Sequence, residues 1–387
     1  MGTIELSTHN QLSGSRRVIV KIGSALLVDD DKGEIRGTWL SELASDIAGF
    51  HKQKIEVVIV SSGAIAVGRN RLELPSGELA LEQKQAAAAT GQIRLAHAWQ
   101  QALGMHNITV AQILLTLSDT EERRRHLNAR ATIETLLKLG TIPVINENDT
   151  VATEEIRYGD NDRLAARVAQ MISADTLVLL SDVDGLYNED PRLNSNAHLI
   201  SEVTEITPEI EAMAGAAPSG YSSGGMLTKL EAAKIAMAAG CTMAITDGTV
   251  MNALSALASG GRATWFMPSS EPLTARKGWI AGTVSAAGSI VIDAGAINAL
   301  KSGKSLLPAG VTSIEGTFER GDVVNIKVSG VGVVGRGLSA YSSDDAIRIS
   351  GRKSRDIERI LGYRGRDEMV HRDDLVLEIN VVEVNKK

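Results

Sequence analysis

The chain has 387 residues, 43% of them hydrophobic and 22% charged, with a net charge of −7, which suits a soluble enzyme of two or three domains. Its one cysteine, Cys241, excludes an internal disulfide and fits a reducing cytoplasm. No apolar run of about 18 residues is present to span a membrane, and the polar stretch Met1 to Gln11 carries no apolar signal core.

Aromatic residues make up only 3% of the chain, so the core must be built from Ala, Val, Ile and Leu. Charge is uneven: from Arg276 onward there are 17 Lys and Arg against 14 Asp and Glu, and before it 23 against 33. The end of the chain is mildly basic and the larger part acidic, weak support for a polyanion meeting the tail.

Strands and helices alternate up to about Pro268. The pattern predicts strands over 18–22, 57–61, 109–115, 142–146, 176–181, 242–246 and 264–267. Helices are predicted over 38–52, 79–103, 121–139, 162–173 and 226–239. Strands that are apolar throughout and separated by helices imply an α/β fold, a mostly parallel open sheet covered by helices on both faces. Ligands of such sheets bind beyond the C-terminal strand ends. After Ser269-Ser270-Glu271-Pro272 the helices become few, and short apolar runs with glycines read as a compact β-rich domain.

Polar residues collect at the predicted strand ends. The first strand ends in Lys21-Ile22-Gly23-Ser24. A lysine there is costly unless it is solvated or its ammonium meets an anion. The glycine and serine after it let backbone N–H groups approach that anion, of which a phosphate is the simplest. The other polar ends are Ser61-Ser62-Gly63-Ala64, Asn146-Glu147-Asn148-Asp149 and Ser181-Asp182-Val183-Asp184. Four such ends on one sheet edge look like a site.

Two helix starts add to it. Ser223-Gly224-Gly225-Met226-Leu227-Thr228-Lys229 opens a helix with small residues that leave its first N–H groups open to an anion, with Lys229 one turn inside. Gly159-Asp160-Asn161-Asp162 opens another. Capping explains one aspartate; the remaining polar groups could bind an amino group, a Mg²⁺ ion or a lysine.

Other motifs lack the context their chemistry needs. Lys301-Ser302-Gly303-Lys304-Ser305 resembles the end of a P-loop, but residue 298, where its first glycine belongs, is Asn298. Gly330 to Gly335 fits a dinucleotide pattern but is expected to be a hairpin with glycine bulges. Cys241 reads as packing. The histidines show neither metal-ligand spacing nor a nucleophile triad.

Taken in order, these motifs resemble the amino acid kinase superfamily, and within it the members that phosphorylate glutamate. Ser305-Leu306-Leu307-Pro308-Ala309-Gly310-Val311 and His371-Arg372-Asp373-Asp374 are similar to the PUA domain that many of those members carry. The resemblance implies a tail over 1–15, a catalytic domain over 16–268, a linker over 269–284 and a PUA-like domain over 285–387. It implies transfer of phosphate from ATP to the side-chain carboxylate of L-glutamate, the first step of proline synthesis, with Mg²⁺ on the phosphates. Lys21 and Lys229 would flank the transferring group and Asp162 would orient them. Ser62, Asp149 and Asn161 would bind glutamate, with Asp149 on the α-ammonium and the Asn161 amide on a carboxylate. Lys21, Gly23, Ser181, Asp182 and Ser223 through Lys229 would bind nucleotide. The family also implies a homodimer or homotetramer and feedback inhibition by proline. The rival reading is an RNA-binding protein led by the tail, through Arg348, Arg352, Lys353, Arg355 and Arg359 on a helical stretch. Asp356 and Glu358 interrupt that run, and Tyr341 and Tyr363 are the few aromatics available for stacking.

Overall fold

The computed structural model describes residues 12, 14–29, 32–152, 160–194, 196–214, 225–282 and 286–377. Two compact units divide between Pro272 and Leu273.

The first unit is built on one eight-stranded sheet. Its strands in chain order are β1 (Arg17–Ile22), β2 (Glu56–Ser61), β3 (Val110–Leu115), β4 (Ile142–Glu147), β5 (Thr176–Ser181), β6 (Glu202–Val203), β7 (Thr242–Asp247) and β8 (Ala263–Phe266). They lie side by side as β6-β8-β7-β5-β1-β2-β4-β3. All are parallel from β7 across to β3, while β8 runs antiparallel to β7 and β6 follows β8. The seven strands expected from sequence are present. β6 is additional, an edge strand of two residues with no apolar run to announce it.

The longer helices are α1 (Gly37–Lys52), α2 (Ala64–Arg71), α3 (Leu81–Gly104), α4 (Arg123–Lys138), α5 (Asp160–Ile172) and α6 (Met226–Ala238). Alternate residues of each strand face opposite sides of the sheet, and both sides are dry. Val18, Val20 and Ile22 of β1 pack with α1 and α3 in one core layer. Ile19 packs in the other, with residues of α4, α5 and α6. Lys21 falls on this second face by the same alternation.

β1 sits between β5 and β2, and the chain fills the sheet outward in both directions from it. Loops leaving the C-terminal ends of β1 and its neighbours therefore diverge and leave a crevice. Ile22, Ser61, Glu147 and Ser181 end the four central strands on that side.

α2 was not expected from sequence, because its eight residues include Gly68 and have little periodicity. Its stability comes from contact with α3. A Cβ at Gly91 of α3 would lie 1.8 Å from the Ala64 carbonyl oxygen, and one at Gly68 would lie 1.7 Å from that of Ala87. The two helices touch backbone to backbone, which only glycine permits. This contact fixes the turn between β2 and α2 against α3.

The second unit carries a five-stranded sheet of β9 (Gly288–Ile292), β10 (Val311–Gly316), β11 (Val323–Val328), β12 (Gly332–Leu338) and β13 (Leu375–Leu377), in the order β10-β9-β11-β12-β13. Gly330 to Gly335 form the β11–β12 turn and the start of β12, with a register shift at Ile326/Lys327, so this glycine pattern is a bulged hairpin. The basic stretch from Arg348 to Arg359 is not one helix. Gly351 at φ 71° separates the helix Ser343–Ile349 from Ile357–Leu361. The region expected to be a linker contains a helix, Pro272–Gly282.

Replacing Gly91 by Ala must push α2 away from α3. The expected cost is about 1–3 kcal/mol of unfolding free energy, read as a lower urea midpoint. A midpoint equal to wild type would contradict the close backbone packing.

Candidate active site

Three charged side chains form the centre of the crevice. Asp162 is fully buried, while Lys21 and Lys229 retain 7% and 5% of their exposure. Lys21 Nζ lies 2.5 Å from Asp162 Oδ1, and Lys229 Nζ lies 3.1 Å from Asp162 Oδ2. Each comes from a different element: Lys21 from the end of β1, Asp162 from the first turn of α5 and Lys229 from the first turn of α6.

Helical periodicity explains why the last two are buried. Asp162, Ala165, Ala166 and Ala169 are buried on α5, and Lys229, Ala232, Ala233 and Ala236 on α6. Both sets follow the i, i+3, i+4, i+7 spacing of one helix face. Small alanines let the two helices seat closely against the sheet, and the first position of each stripe carries the charge. A charged residue heading an alanine stripe was a readable signal in the sequence.

Burial pushes the Lys21 ammonium below its ordinary range; Asp162 opposes this shift and Lys229 adds to it. Burial alone would raise the Asp162 carboxyl, but Lys21 and then Lys229 outweigh it and hold it below the ordinary carboxylate range. One carboxylate thus meets two ammonium groups in a place largely closed to water, with the Asp182 charge also acting on Lys21. Buried charge is costly unless it is paired, and Asp162 supplies that pairing to both lysines.

The space beside this charge is open. A Cβ at Gly23 would point to within 4.0 Å of Lys21 Nζ and meet nothing nearer than 3.9 Å. Gly23 has an ordinary extended backbone, with φ −71° and ψ 152°, so no local strain demands glycine there. Its missing side chain instead leaves room at the ammonium. Ser181 and Asp182 end β5, joined by a 3.1 Å hydrogen bond, and the Asp182 charge acts on Lys21. Gly225 caps α6, and Thr228 donates to the Gly225 carbonyl at 2.9 Å and to Asp162 Oδ2 at 3.3 Å. Met226 is half-buried and Leu227 exposed. Ser223 and Gly224 lie outside the described residues.

A second, uncharged group adjoins the first through Asn161. Its amide nitrogen donates to Ser61 O at 3.1 Å, Ser62 Oγ at 2.8 Å and Asn146 Oδ1 at 3.0 Å. The amide expected to hold a carboxylate is thus engaged by the protein. Asn146 in turn donates to Gln92 Oε1 at 2.6 Å, and Trp99 Nε1 donates to Ser61 Oγ at 3.2 Å. Gln85 donates to the carbonyl of Ala152, beyond Asp149, at 3.1 Å. Gln85, Gln92 and Trp99 were not singled out from sequence. Their spacing of seven along α3 places them on one helix stripe, the signal that would have revealed them.

Asp149 stands apart electrostatically. Its residue is 9% exposed, and no hydrogen bond or ion pair reaches its carboxylate among the described residues. Burial pushes its pKa up to about 6. A buried carboxylate that meets no counterion among the described residues suits a cation brought by a ligand. Among the described residues no group of three or more His, Cys, Asp or Glu could hold a metal ion. The crevice thus brings a lysine–aspartate cluster and a largely buried carboxylate to the same sheet edge.

Comparison with known proteins gives matching results. The Amino acid kinase family matches residues 16–247 and the PUA domain residues 288–361. The chain is 64% identical to the glutamate 5-kinase of Paramagnetospirillum magneticum, over 95% of this chain and 99% of that one. It is 60% identical to the glutamate 5-kinase of Bradyrhizobium diazoefficiens, over 95% and 98%. Against glutamate 5-kinase 1 of Rhizobium meliloti it is also 60% identical, over 95% and 93%.

The raised pKa of Asp149 has a consequence for the ligand-free protein. Its carboxyl ionises near 3.8 when unfolded and near 6 when folded, so the folded state binds the extra proton between these values. Stability is therefore lost as pH rises through this window. Asp149→Asn should stabilise the free protein above pH 6 by up to about 3 kcal/mol, a gain roughly halved at pH 5 and gone below the unfolded value. Thermal unfolding of both proteins at pH 8 and pH 5 checks this; a gain independent of pH would refute it.

Proposed function

The chain belongs to the amino acid kinase family, in its glutamate 5-kinase branch, and from this premise we propose how its residues move phosphate from ATP to the side-chain carboxylate of L-glutamate. The reaction yields L-glutamyl 5-phosphate, which opens proline biosynthesis. The observation that carries the assignment of roles is the Lys21–Asp162–Lys229 cluster.

At neutral pH the attacking carboxylate is already ionised, so no general base is required. A glutamate oxygen bonds to the γ-phosphorus of ATP as the bond to the β–γ bridging oxygen breaks and ADP leaves. The barrier lies in bringing one anion to another, and catalysis is positioning plus cancellation of charge. Lys21 and Lys229 meet the equatorial and bridging oxygens, where negative charge is shared in transfer. Asp162 fixes both ammonium groups and opposes the loss of the Lys21 proton that burial favours. It is a positioning residue, because its two oxygens are occupied by the lysines.

Gly23 leaves room for the phosphate, and the backbone N–H groups at the start of α6 complete the cradle. Ser181, Asp182 and the segment from Ser223 to Thr228 hold the nucleotide. Mg²⁺ enters with ATP, carried by phosphate oxygens and water. Ser62, Asp149 and Asn161 bind glutamate, with the Asp149 carboxylate on the α-ammonium. Proline carries a secondary ammonium that suits the same carboxylate and is expected to compete. No helix among the described residues is long and apolar enough to cross a membrane, and the substrates point to the cytoplasm.

An ATP- and Mg²⁺-dependent assay with glutamate, trapping the acyl phosphate with hydroxylamine, tests these roles. Lys21→Ala and Lys229→Ala should each lower kcat by about 10²–10³-fold, the scale for loss of one electrostatic donor, with little change in the KM for glutamate. Near-normal turnover by Lys21→Ala would remove its role. Asp149→Asn should raise the KM for glutamate far more than that for ATP. Equal changes in both would remove the ammonium assignment.

A further inference from the structure

The turn that follows β5 is held from the side by the start of β8. It leads through Asp182, Val183, Asp184 and Gly185 into a short hairpin, Leu186–Tyr187 against Leu199–Ile200. Thr264 of β8 is fully buried, and its hydroxyl bonds to both arms of that hairpin. It accepts from the Leu186 backbone N–H at 2.7 Å and donates to the Ile200 carbonyl at 2.6 Å. An N–H can only donate and a carbonyl only accept, so both directions are fixed. Gly185 lies against the same residue. Its φ of 151° belongs to a region that side chains rarely enter, and a Cβ there would come within 2.5 Å of Thr264 Oγ1 and 3.0 Å of Thr264 N.

A second hold lies at the rim. Arg262, two residues earlier, pairs with Asp184 at 3.0 Å and donates to Tyr187 Oη at 2.8 Å. Tyr187 Oη in turn reaches both oxygens of Asp184, at 3.0 and 3.1 Å. The Arg262 side chain keeps 67% of its exposure, so solvent weakens this hold. Thr264 is different: removing its hydroxyl takes the partner from a donor and an acceptor in a dry place. Each residue from Asp184 to Tyr187 is thus bonded to or packed against Arg262 or Thr264. The base of this hold is itself fixed, because β8 pairs with β7 and Thr246 of β7 donates to the Arg262 carbonyl at 2.9 Å.

We infer that the start of β8 positions the nucleotide: Thr264, with Arg262 at the rim, holds the turn after β5 so that Asp182 stands where ATP requires it. The inference rests on the proposed binding of nucleotide by Ser181 and Asp182. It gives a positioning role to two residues outside the proposed nucleotide and glutamate sets. Asp182 is exposed and its only hydrogen bond to the protein among the described residues comes from its neighbour Ser181, so its place depends on the turn that carries it. No hydrogen bond joins Arg262 or Thr264 to Ser62, Asp149 or Asn161 among the described residues. Loosening the turn should therefore be felt by one substrate and not by the other.

The hydroxylamine assay, run with the full chain at varied ATP and at varied glutamate, tests this. Thr264→Val keeps the shape of the side chain and removes the hydroxyl. It should raise the KM for ATP by about tenfold, the scale of one lost hydrogen bond, and leave the KM for glutamate within about twofold of wild type. Thr264→Ser keeps the hydroxyl and should bring the KM for ATP back near wild type. A packing role alone would lower the melting temperature of Thr264→Val without separating the two KM values. An equal rise in both, or an unchanged KM for ATP, overturns the inference, as does a Thr264→Ser protein as impaired as Thr264→Val. If Thr264→Val does not fold, Arg262→Gln decides, because that side chain lies at the surface. A rise of about threefold confined to ATP supports the hold, and no rise overturns it. Asp182→Ala separates the inference from the reading beneath it. An unchanged KM for ATP in that variant removes Asp182 from the nucleotide site, and the inference with it. A raised value there beside an unchanged one in Thr264→Val overturns the inference alone.

Discussion

A single carboxylate held between two ammonium groups, away from water, is the constraint on which the rest of this site depends. Asp162 compensates for burying Lys21 and Lys229 by meeting each with one of its two oxygens. Burying an ion pair is costly even when the charges balance. The fold holds this arrangement because the three residues come from rigid elements: a central strand and the first turns of two helices packed on alanine faces.

Asp149 follows the opposite logic with the same physics. It is a carboxylate drawn out of water with no cation supplied by the described residues, and its pKa rises accordingly. Glutamate carries the complementary groups, an ammonium at one end and a carboxylate at the other. In the proposed reading the glutamate ammonium answers Asp149, while the phosphoryl group of ATP meets the lysines. Such sites trade folding stability for recognition, as buried groups at functional sites commonly do.

The two halves of the crevice are supported differently. The charged half relies on alanine stripes of α5 and α6 against β1. The uncharged half relies on α3, which touches α2 at glycine and reaches Ser61, Asn146 and Ala152 with side-chain hydrogen bonds. Asn161 and Asp162, adjacent on α5, join the halves, since one side chain enters each network.

Much of this was legible from the amino-acid sequence. Apolar strand runs such as those around Val18 and Val178 determined a parallel sheet, because only a strand buried on both faces needs to be apolar at every position. Lys21 at the end of the first run, and glycines around Lys229, pointed to an anion, because the backbone there must be open and the charge must be answered. Short elements escaped: β6 and α2 have too few residues for a period, and α2 depends on a contact with Gly91 rather than on its own propensity. Tertiary structure alone decided that Lys21 and Lys229, distant in sequence, share the two oxygens of Asp162. It alone decided the polarity of Asn161, since the donors and acceptors that orient an amide belong to other strands and helices, and no local pattern records what a side chain meets across the fold.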